Sequence, residues 1–272
     1  RRVNDSRSIN PQKELMPVLS LCKEGETFAF NELLLQQVKK QPTHRSAQEI
    51  LAHELYFYDT QAPALVGLKK EFIASARLDN LLSCFLACKA LISCKNHHAS
   101  LLVCNDHEEV GSASSSGAQG PFLKSVLVRL SHLCGDEPDL LSRIVAKSSL
   151  ISIDNAHGVH PNYLEKHDDR HRPILNAGPV IKLNANQRYA SNSHSVALFK
   201  SICDAVKVPH QSFVMRNDMA CGSTIGPITS AETGINTIDV GVPTFAMHSI
   251  RELAGVKDAF NLSKIITSFY SR

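Results

Sequence analysis

Short runs of apolar and β-branched residues alternate with longer amphipathic stretches along most of the chain after about residue 63. Short apolar runs bounded by polar turns are typical of buried strands. The longer stretches have helical spacing; in NLLSCFLACKALIS, Leu81, Phe85, Cys88 and Ile92 share one face. This alternation predicts an α/β fold, with a sheet covered by helices on both faces. The candidate strands are FIASA (72–76), SLLVCN (100–105), SSLISI (148–153), GPVIKLN (178–184), QSFVMR (211–216), NTIDVG (236–241) and VPTFAM (242–247).

The chain up to about residue 62 has a different pattern. It is helical in character and carries few candidate chemical groups, and residues 49–58 keep apolar positions at helical or mixed spacing. Residues 60–63 (TQAP) have the turn chemistry of a boundary. We therefore expect two unequal domains, 1–62 and 63–272.

Composition excludes several classes of protein. The 272 residues include 29 Lys and Arg against 26 Asp and Glu, and the cations are scattered, which argues against a nucleic-acid partner. No apolar run is long enough to span a membrane, and RRVNDSRSIN at the start lacks the apolar core of a signal peptide. We expect a cytoplasmic protein with no membrane partner. The first residue is Arg1 and not methionine, so we also expect a truncated form of a longer protein.

The eight cysteines do not form a metal or disulfide pattern. No C-x-x-C pair occurs, and Cys84, Cys88, Cys94 and Cys104 lie in apolar helical or strand patterns. They are expected to be reduced thiols in the core.

Carboxylates and imidazoles follow the candidate strands. In open α/β sheets, ligands bind at the carboxyl ends of the strands, so these residues should meet at one edge. Taken singly, each group has an ordinary structural interpretation: a helix N-cap, an acidic turn, a turn that satisfies its own backbone, or a packed histidine. Taken together, they favour a metal site. The residues are Asp79 after the first run, Glu108 and Glu109 after the second, Asp154 and His157 after the third, and His248 after the last.

Oxygen and nitrogen ligands without thiolates suit zinc in a hydrolytic site, or manganese or cobalt in its place. Several carboxylates with one or two histidines suffice for a pair of ions joined by a bridging carboxylate. Of the adjacent glutamates, one can bind metal while the other accepts a proton. Glu109 as ligand and Glu108 as general base is one division of these roles, and the spacing alone does not fix which residue does which.

Long segments of the sequence resemble the M18 aminopeptidases, the aspartyl aminopeptidase family, and its bacterial members in particular. The resemblance implies a di-zinc exopeptidase catalytic domain with a mixed sheet sandwiched by helices, over residues 63–272 and lacking its N-terminal strands. Residues 1–62 resemble the end of an inserted dimerisation domain. The matching segments are FIASARLDNLLSCF, CNDHEEVGSASSSGAQGPFL, SIDNAHGVHPNYLEKH, GPVIKLNANQRYASN, VMRNDMACGSTIGPITS and VGVPTFAMHSIRELAG.

The resemblance also implies roles for single residues. Asp79 would bridge two Zn²⁺ ions, Glu109 and His248 would complete one ion, and Asp154 would bind the other. Glu108 would be the general base of a reaction that uses a water activated by two zinc ions. The residues that would contact the substrate are His157 and Lys182, and the lysine would attract an acidic N-terminal residue (Asp or Glu) of a peptide. The family also implies a homo-oligomer.

The chain departs from the family pattern in one respect. Family members carry an early H-x-D motif whose histidine completes the first metal, and no residue here fills that place. His167-Asp168-Asp169 has similar letters but lies in the charged run EKHDDRHR, which is typical of a solvated loop, and His160 is expected to be structural. Two hypotheses follow: an aminopeptidase whose catalytic residues lie mostly in this chain, or a non-catalytic remnant or assembly subunit of such an enzyme.

Overall fold

The computed structural model describes residues 8–95 and 98–272. The chain divides into two compact units, one up to Tyr58 and one from Asp59 onwards. The first unit contains α1 (Pro11–Glu14) and α2 (Phe30–Lys39), followed by a 3₁₀ turn at Pro42–His44. The side chain of Asn10 caps α1 by accepting the N–H groups of Gln12 and Lys13.

The helical interpretation of residues 49–58 was wrong. Residues 45–63 contain no helix or strand. The side chains of Leu51, Tyr56 and Phe57 are exposed, so a helix here would bury no apolar face. Without such burial, a short helix is marginal in water.

In the ranges that the structure describes, the second unit contains nine strands in two mixed sheets. One sheet has the order β1-β2-β9-β8-β4 and the other β3-β7-β5-β6, and both combine parallel and antiparallel pairs. The strands are β1 (Ala64–Val66), β2 (Phe72–Ser75), β3 (Ser149–Ile153), β4 (Ala156–His157), β5 (Val180–Leu183), β6 (Gln211–Val214), β7 (Asn236–Gly241), β8 (Pro243–Phe245) and β9 (Glu252–Gly255).

Six α-helices accompany the sheets among the described residues, which confirms the predicted α/β class with mixed sheets and helices. The N–H groups of Asp154 and Ala156 donate to the carbonyls of Val240 and Val242, so the β3–β7 pairing continues into the β4–β8 pairing. The two sheets are therefore joined at this point. The helices are α3 (Leu78–Ser93), α4 (Phe122–Cys134), α5 (Leu140–Lys147), α6 (Ser193–Ala205), α7 (Ile225–Thr233) and α8 (Val256–Tyr270).

Six of the seven candidate strand runs contain a strand, and the run at 100–105 does not. In this run Leu101 and Cys104 are exposed, and within 8–95 and 98–272 no strand pairs with it. A strand depends on a neighbouring ladder for its backbone hydrogen bonds. The apolar composition was therefore not sufficient to make a strand here.

One hydrophobic cluster of the core lies between α3, α8 and the sheets, and a second packs α6 against β5 and β7. Leu78, Leu86 and Ala90 of α3 pack in one cluster with Leu262 and Ile266 of α8. The face predicted from the spacing, with Leu81, Phe85, Cys88 and Ile92, is instead exposed. Apolar residues occur on both sides of α3, so its pattern alone could not identify the side that α8 covers.

The cysteines are only partly as expected. All eight are free, but Cys22, Cys88, Cys104 and Cys134 are exposed, and Cys203 alone is fully buried. The core location was therefore wrong for half of them. None of the helices in the described ranges is long and apolar enough to cross a membrane.

Candidate metal centre and active site

Three side chains from distant parts of the second unit meet at one place. Nε2 of His248 lies 3.1 Å from Oδ2 of Asp79 and 3.2 Å from Oε2 of Glu109. One ligand atom from each residue lies within 4.8 Å of the other two. We call Asp79, Glu109 and His248 the metal cluster. It is formed where β2 and β8 end, as the rule of carboxyl strand ends predicts.

The local backbone directs each member towards this point. Asp79 follows β2 within the first turn of α3 with a non-helical ψ of 110°. Its side chain does not cap the helix, because Oδ2 faces His248 and Oδ1 accepts no hydrogen bond among the described residues. Glu109 lies in a 3₁₀ helix, Glu108–Val110, and His248 follows β8 with a left-handed φ of 67°. Non-glycine residues seldom adopt a left-handed φ, and such residues often occur at functional sites.

The cluster fits a divalent cation. The side chain of Asp79 is only 6% exposed, and its Oδ1 is buried with no hydrogen-bond partner among the described residues. Burial and then the nearby carboxylates of Asp154 and Glu109 raise the pKa of Asp79 to about 8, against the opposing effect of Lys182. A bound cation would supply the missing partner and offset the repulsion among the carboxylates. Carboxylate and imidazole donors without thiolates are consistent with zinc.

Asp154 and Lys182 form a buried ion pair beside the cluster. Lys182 Nζ lies 3.1 Å from Oδ2 of Asp154, and the two side chains are 4% and 18% exposed. The same ammonium lies 5.6 Å from the ring centroid of Tyr189, close enough for a cation–π contact. Asp154 and Lys182 therefore lie next to the metal cluster.

Glu108 is partly buried next to the same carboxylates. Burial raises its pKa, and Asp154 and then Glu109 add to the effect, while Lys182 and His248 oppose it. A carboxylate with a raised pKa can exchange protons nearer to neutral pH than an ordinary glutamate. The environment of Glu108 thus suits proton transfer.

His157, at the end of β4, is exposed to solvent. Desolvation by the surrounding protein atoms nevertheless lowers the pKa of its imidazole, and the positive charges of Lys182, His167 and His248 lower it further. A neutral imidazole at this position can donate or accept a hydrogen bond from a ligand.

Two further residues carry no local signal in the sequence. Tyr189 is buried beside Lys182. Glu252, at the start of β9, is 1% exposed and accepts the backbone N–H groups of Asp79 and His248. Glu252 contacts Asp79, which is 173 residues away in the chain, and Tyr189 reaches Lys182 through a turn. A short sequence motif therefore could not reveal either contact.

The segment from His160 to Arg172 does not join the metal cluster. His167 was expected in a solvated loop, but it is buried, and its ring packs edge-on against Phe213. Asp168 accepts a hydrogen bond from His171, and Asp169 pairs with Arg172. The ring of His160 packs edge-on against Phe245, and its Nδ1 accepts the N–H of Asn162, which is a structural arrangement.

The chain as a whole is similar to known proteins in sequence. The sequence model of one family, described as aminopeptidase I zinc metalloprotease (M18), matches residues 1–270. A probable M18 family aminopeptidase 2 from Ectopseudomonas mendocina (strain ymp) is 54% identical over 271 residues, which are 100% of this chain and 62% of the relative. A protein of the same description from Azotobacter vinelandii is 53% identical over 272 residues, with the same coverage. The chain thus spans 62% of the length of these curated relatives.

Solved structures show the same fold. A chain in the cryo-EM structure of the Ape4 and Nbr1 complex has a TM-score of 0.85 at 37% identity, over 98% of this chain and 55% of that chain. A chain of the S. cerevisiae mApe1 dodecamer has a TM-score of 0.76 at 31% identity, over 88% of this chain and 54% of that chain.

Proposed function

Because the chain belongs to the M18 family of aminopeptidase I zinc metalloproteases, we propose that it carries most of the active site of a metal-dependent aminopeptidase. The reaction would remove N-terminal residues from peptides, with a preference for Asp or Glu. The observation that supports this proposal most directly is the metal cluster, in which a buried oxygen of Asp79 lacks a partner beside Glu109 and His248.

Asp79, Glu109 and His248 would hold one zinc ion. Asp79 also lies next to Asp154, which supports the proposal that Asp79 would bridge to a second ion held by Asp154. Mn²⁺ or Co²⁺ could replace zinc at such oxygen and nitrogen donors. When bound, the metal would polarise the scissile carbonyl and make a water molecule more acidic.

Glu108 is proposed to move the proton. It is not part of the metal cluster, and its raised pKa favours both accepting a proton from water and releasing it to the leaving amine. Lys182 is proposed to recognise an acidic N-terminal side chain. An ammonium group has three N–H donors, so its contact with Asp154 leaves donors for a substrate carboxylate. His157, at the rim, would contact the substrate.

We also propose a homo-oligomer. Residues 1–62 would be part of a dimerisation domain and residues 63–272 the catalytic domain. Exposed apolar side chains concentrate in the first unit, as is common at association surfaces: Leu51, Leu55, Tyr56, Phe57 and Tyr58. A similar chain, that of S. cerevisiae mApe1, forms a dodecamer.

A matched pair of variants of the full-length protein tests the proposal. Glu108→Gln should lower kcat by about 10²–10⁴-fold, as expected on loss of a general base, while zinc stays bound. Glu109→Gln should lose zinc as well as turnover. The measurements are elemental mass spectrometry after dialysis and hydrolysis of glutamyl and alanyl p-nitroanilides. Full turnover by Glu108→Gln would contradict its role, and a wild-type protein with neither zinc nor turnover would favour the non-catalytic alternative.

A further inference from the structure

Glu252 is a buried carboxylate without a cationic partner. Glu252 is 1% exposed, and it forms no ion pair within residues 8–95 and 98–272. The neighbouring Arg251 donates instead to the carbonyls of Gln61 and Ala62. A buried charge in a protein is normally compensated by hydrogen bonds or a counter-ion, so the partners of Glu252 indicate its role.

The two oxygens of Glu252 accept the backbone N–H groups of two members of the metal cluster. Oε2 accepts from Asp79 at 2.8 Å, and Oε1 accepts from His248 at 2.7 Å. Asp79 and His248 are 169 residues apart in the chain. A single carboxylate therefore joins the backbones of both.

Neither Asp79 nor His248 has the regular backbone conformation of a helix or a strand. The non-helical ψ of Asp79 interrupts the first turn of α3, and His248 has a left-handed φ. Charge-assisted hydrogen bonds are stronger than neutral ones and can hold such geometries in place. Glu252 thus stabilises the conformations that direct the Asp79 and His248 side chains towards each other.

The sheet topology explains why Glu252 reaches both segments. β9 lies between β2 and β8, and the register places Glu252 opposite Ser75 at the end of β2. Phe245, at the end of β8, pairs with the adjacent Leu253. Asp79 follows β2 and His248 follows β8, so the first residue of β9 is next to both strand ends.

We propose that Glu252 is a positioning residue for metal binding: its carboxylate holds the backbones of Asp79 and His248 so that their side chains are pre-organised for the cation. This inference rests on the proposed function, because it requires that the metal cluster binds zinc. Partners that orient metal ligands typically change metal affinity about 10- to 100-fold when they are mutated.

Asp258 provides a matched control. It is also a fully buried carboxylate, and it also accepts two backbone N–H groups, those of Asn176 and Gly178. It lies at the start of α8 and contacts no member of the metal cluster among the described residues. Removing its charge should disturb the fold in a comparable way without affecting ligand geometry.

The test compares Glu252→Gln and Asp258→Asn in the full-length protein. Metal-free samples are titrated with zinc against a chromogenic chelator, and their thermal midpoints are recorded. We expect the zinc Kd to rise about 10- to 100-fold in Glu252→Gln and to be unchanged in Asp258→Asn. An unchanged Kd in Glu252→Gln, or an equal rise in both variants, would overturn the inference. Wild-type protein that binds no zinc would overturn the proposed function together with it.

A second measurement applies if Glu252→Gln does not fold. Amide hydrogen exchange of the metal-free wild-type protein should show that the N–H groups of Asp79 and His248 are protected, because both donate to a buried carboxylate. Rapid exchange of either amide would overturn the proposal.

Discussion

Carboxylates and histidines come together in two regions of this chain, the metal cluster and the segment from His160 to Arg172. In that segment the partners are local: Oδ1 of Asp168 lies 2.6 Å from Nδ1 of His171, three residues away. In the metal cluster the partners are brought together by strands that are distant in sequence, and Oδ1 of Asp79 has no partner among the described residues. Similar residue types thus produce different chemistry.

The two regions differ in whether their carboxylates and imidazoles still lack a hydrogen-bond or ion-pair partner. Local pairs in the segment satisfy most of its carboxylates and imidazoles without a metal. His167 is the exception, since its buried Nδ1 has no partner in the described part of the chain. However, burial and then the positive charge of Arg172 lower the pKa of this imidazole. Around Asp79 the carboxylates of Asp154 and Glu109 outweigh the ammonium of Lys182, so the net charge there attracts a metal ion, whereas the charge that acts on His167 repels one.

The largest expected effect comes from Asp79→Asn. The amide keeps the size of the side chain but loses the negative charge, and it presents only one oxygen as a metal ligand. We expect loss of zinc from the cluster and turnover reduced to background, measured by elemental analysis and peptide hydrolysis. Normal zinc content in this variant would show that the cluster is not the metal site.

A smaller and more selective effect is expected from Lys182→Met. Asp154 would lose its only ion-pair partner in the described residues, and breaking a largely buried pair typically costs about 3–5 kcal/mol in the free energy of unfolding. The kcat/KM for a glutamyl substrate should fall more than that for an alanyl substrate. Urea unfolding and the two substrates provide the measurements.

Lys182→Arg is the control for this prediction, because it keeps the positive charge beside Asp154. It should retain more stability than Lys182→Met and part of the preference for acidic residues. Equal losses on both substrates in Lys182→Met would remove the idea that Lys182 reads an acidic side chain.

Some residues of the site can be identified from the sequence alone. Asp79 and His248 are examples, because each follows an apolar run, and the carboxyl ends of parallel strands meet at one sheet edge whatever the exact register. Glu252 was not identifiable, since its contacts depend on β9 lying between β2 and β8. Order and register of strands arise from tertiary packing and are not written in any short segment.

Burial was the other property that the sequence did not determine. His167 lies among charged residues, yet packing against Phe213 buries it. Leu81 and Phe85 are apolar, yet α8 covers the opposite side of α3. In both cases a neighbouring element decides which face is covered, and periodicity describes only the residue's own element.

The smallest effect, and one confined to the segment, concerns His167 and pH. Burial and then Arg172 lower the pKa of its imidazole below the ordinary value of 6.5. The unfolded chain therefore takes up a proton near pH 6.5 that the folded protein still excludes. The contribution of His167 is fully present above pH 6.5 and is lost as the pH falls from there towards the lowered folded pKa.

We therefore expect the free energy of unfolding of metal-free wild type, relative to that of metal-free His167→Gln, to fall between pH 7.5 and 5.5, as measured by urea unfolding of both proteins at both pH values. His171→Ala is the matched control, because its ring is partly exposed and pairs with Asp168 at the surface. It should leave this difference and the zinc affinity unchanged. An identical pH response in wild type and His167→Gln would mean that His167 is not excluded from protonation, and reduced zinc binding in His171→Ala would connect the segment to the metal cluster after all.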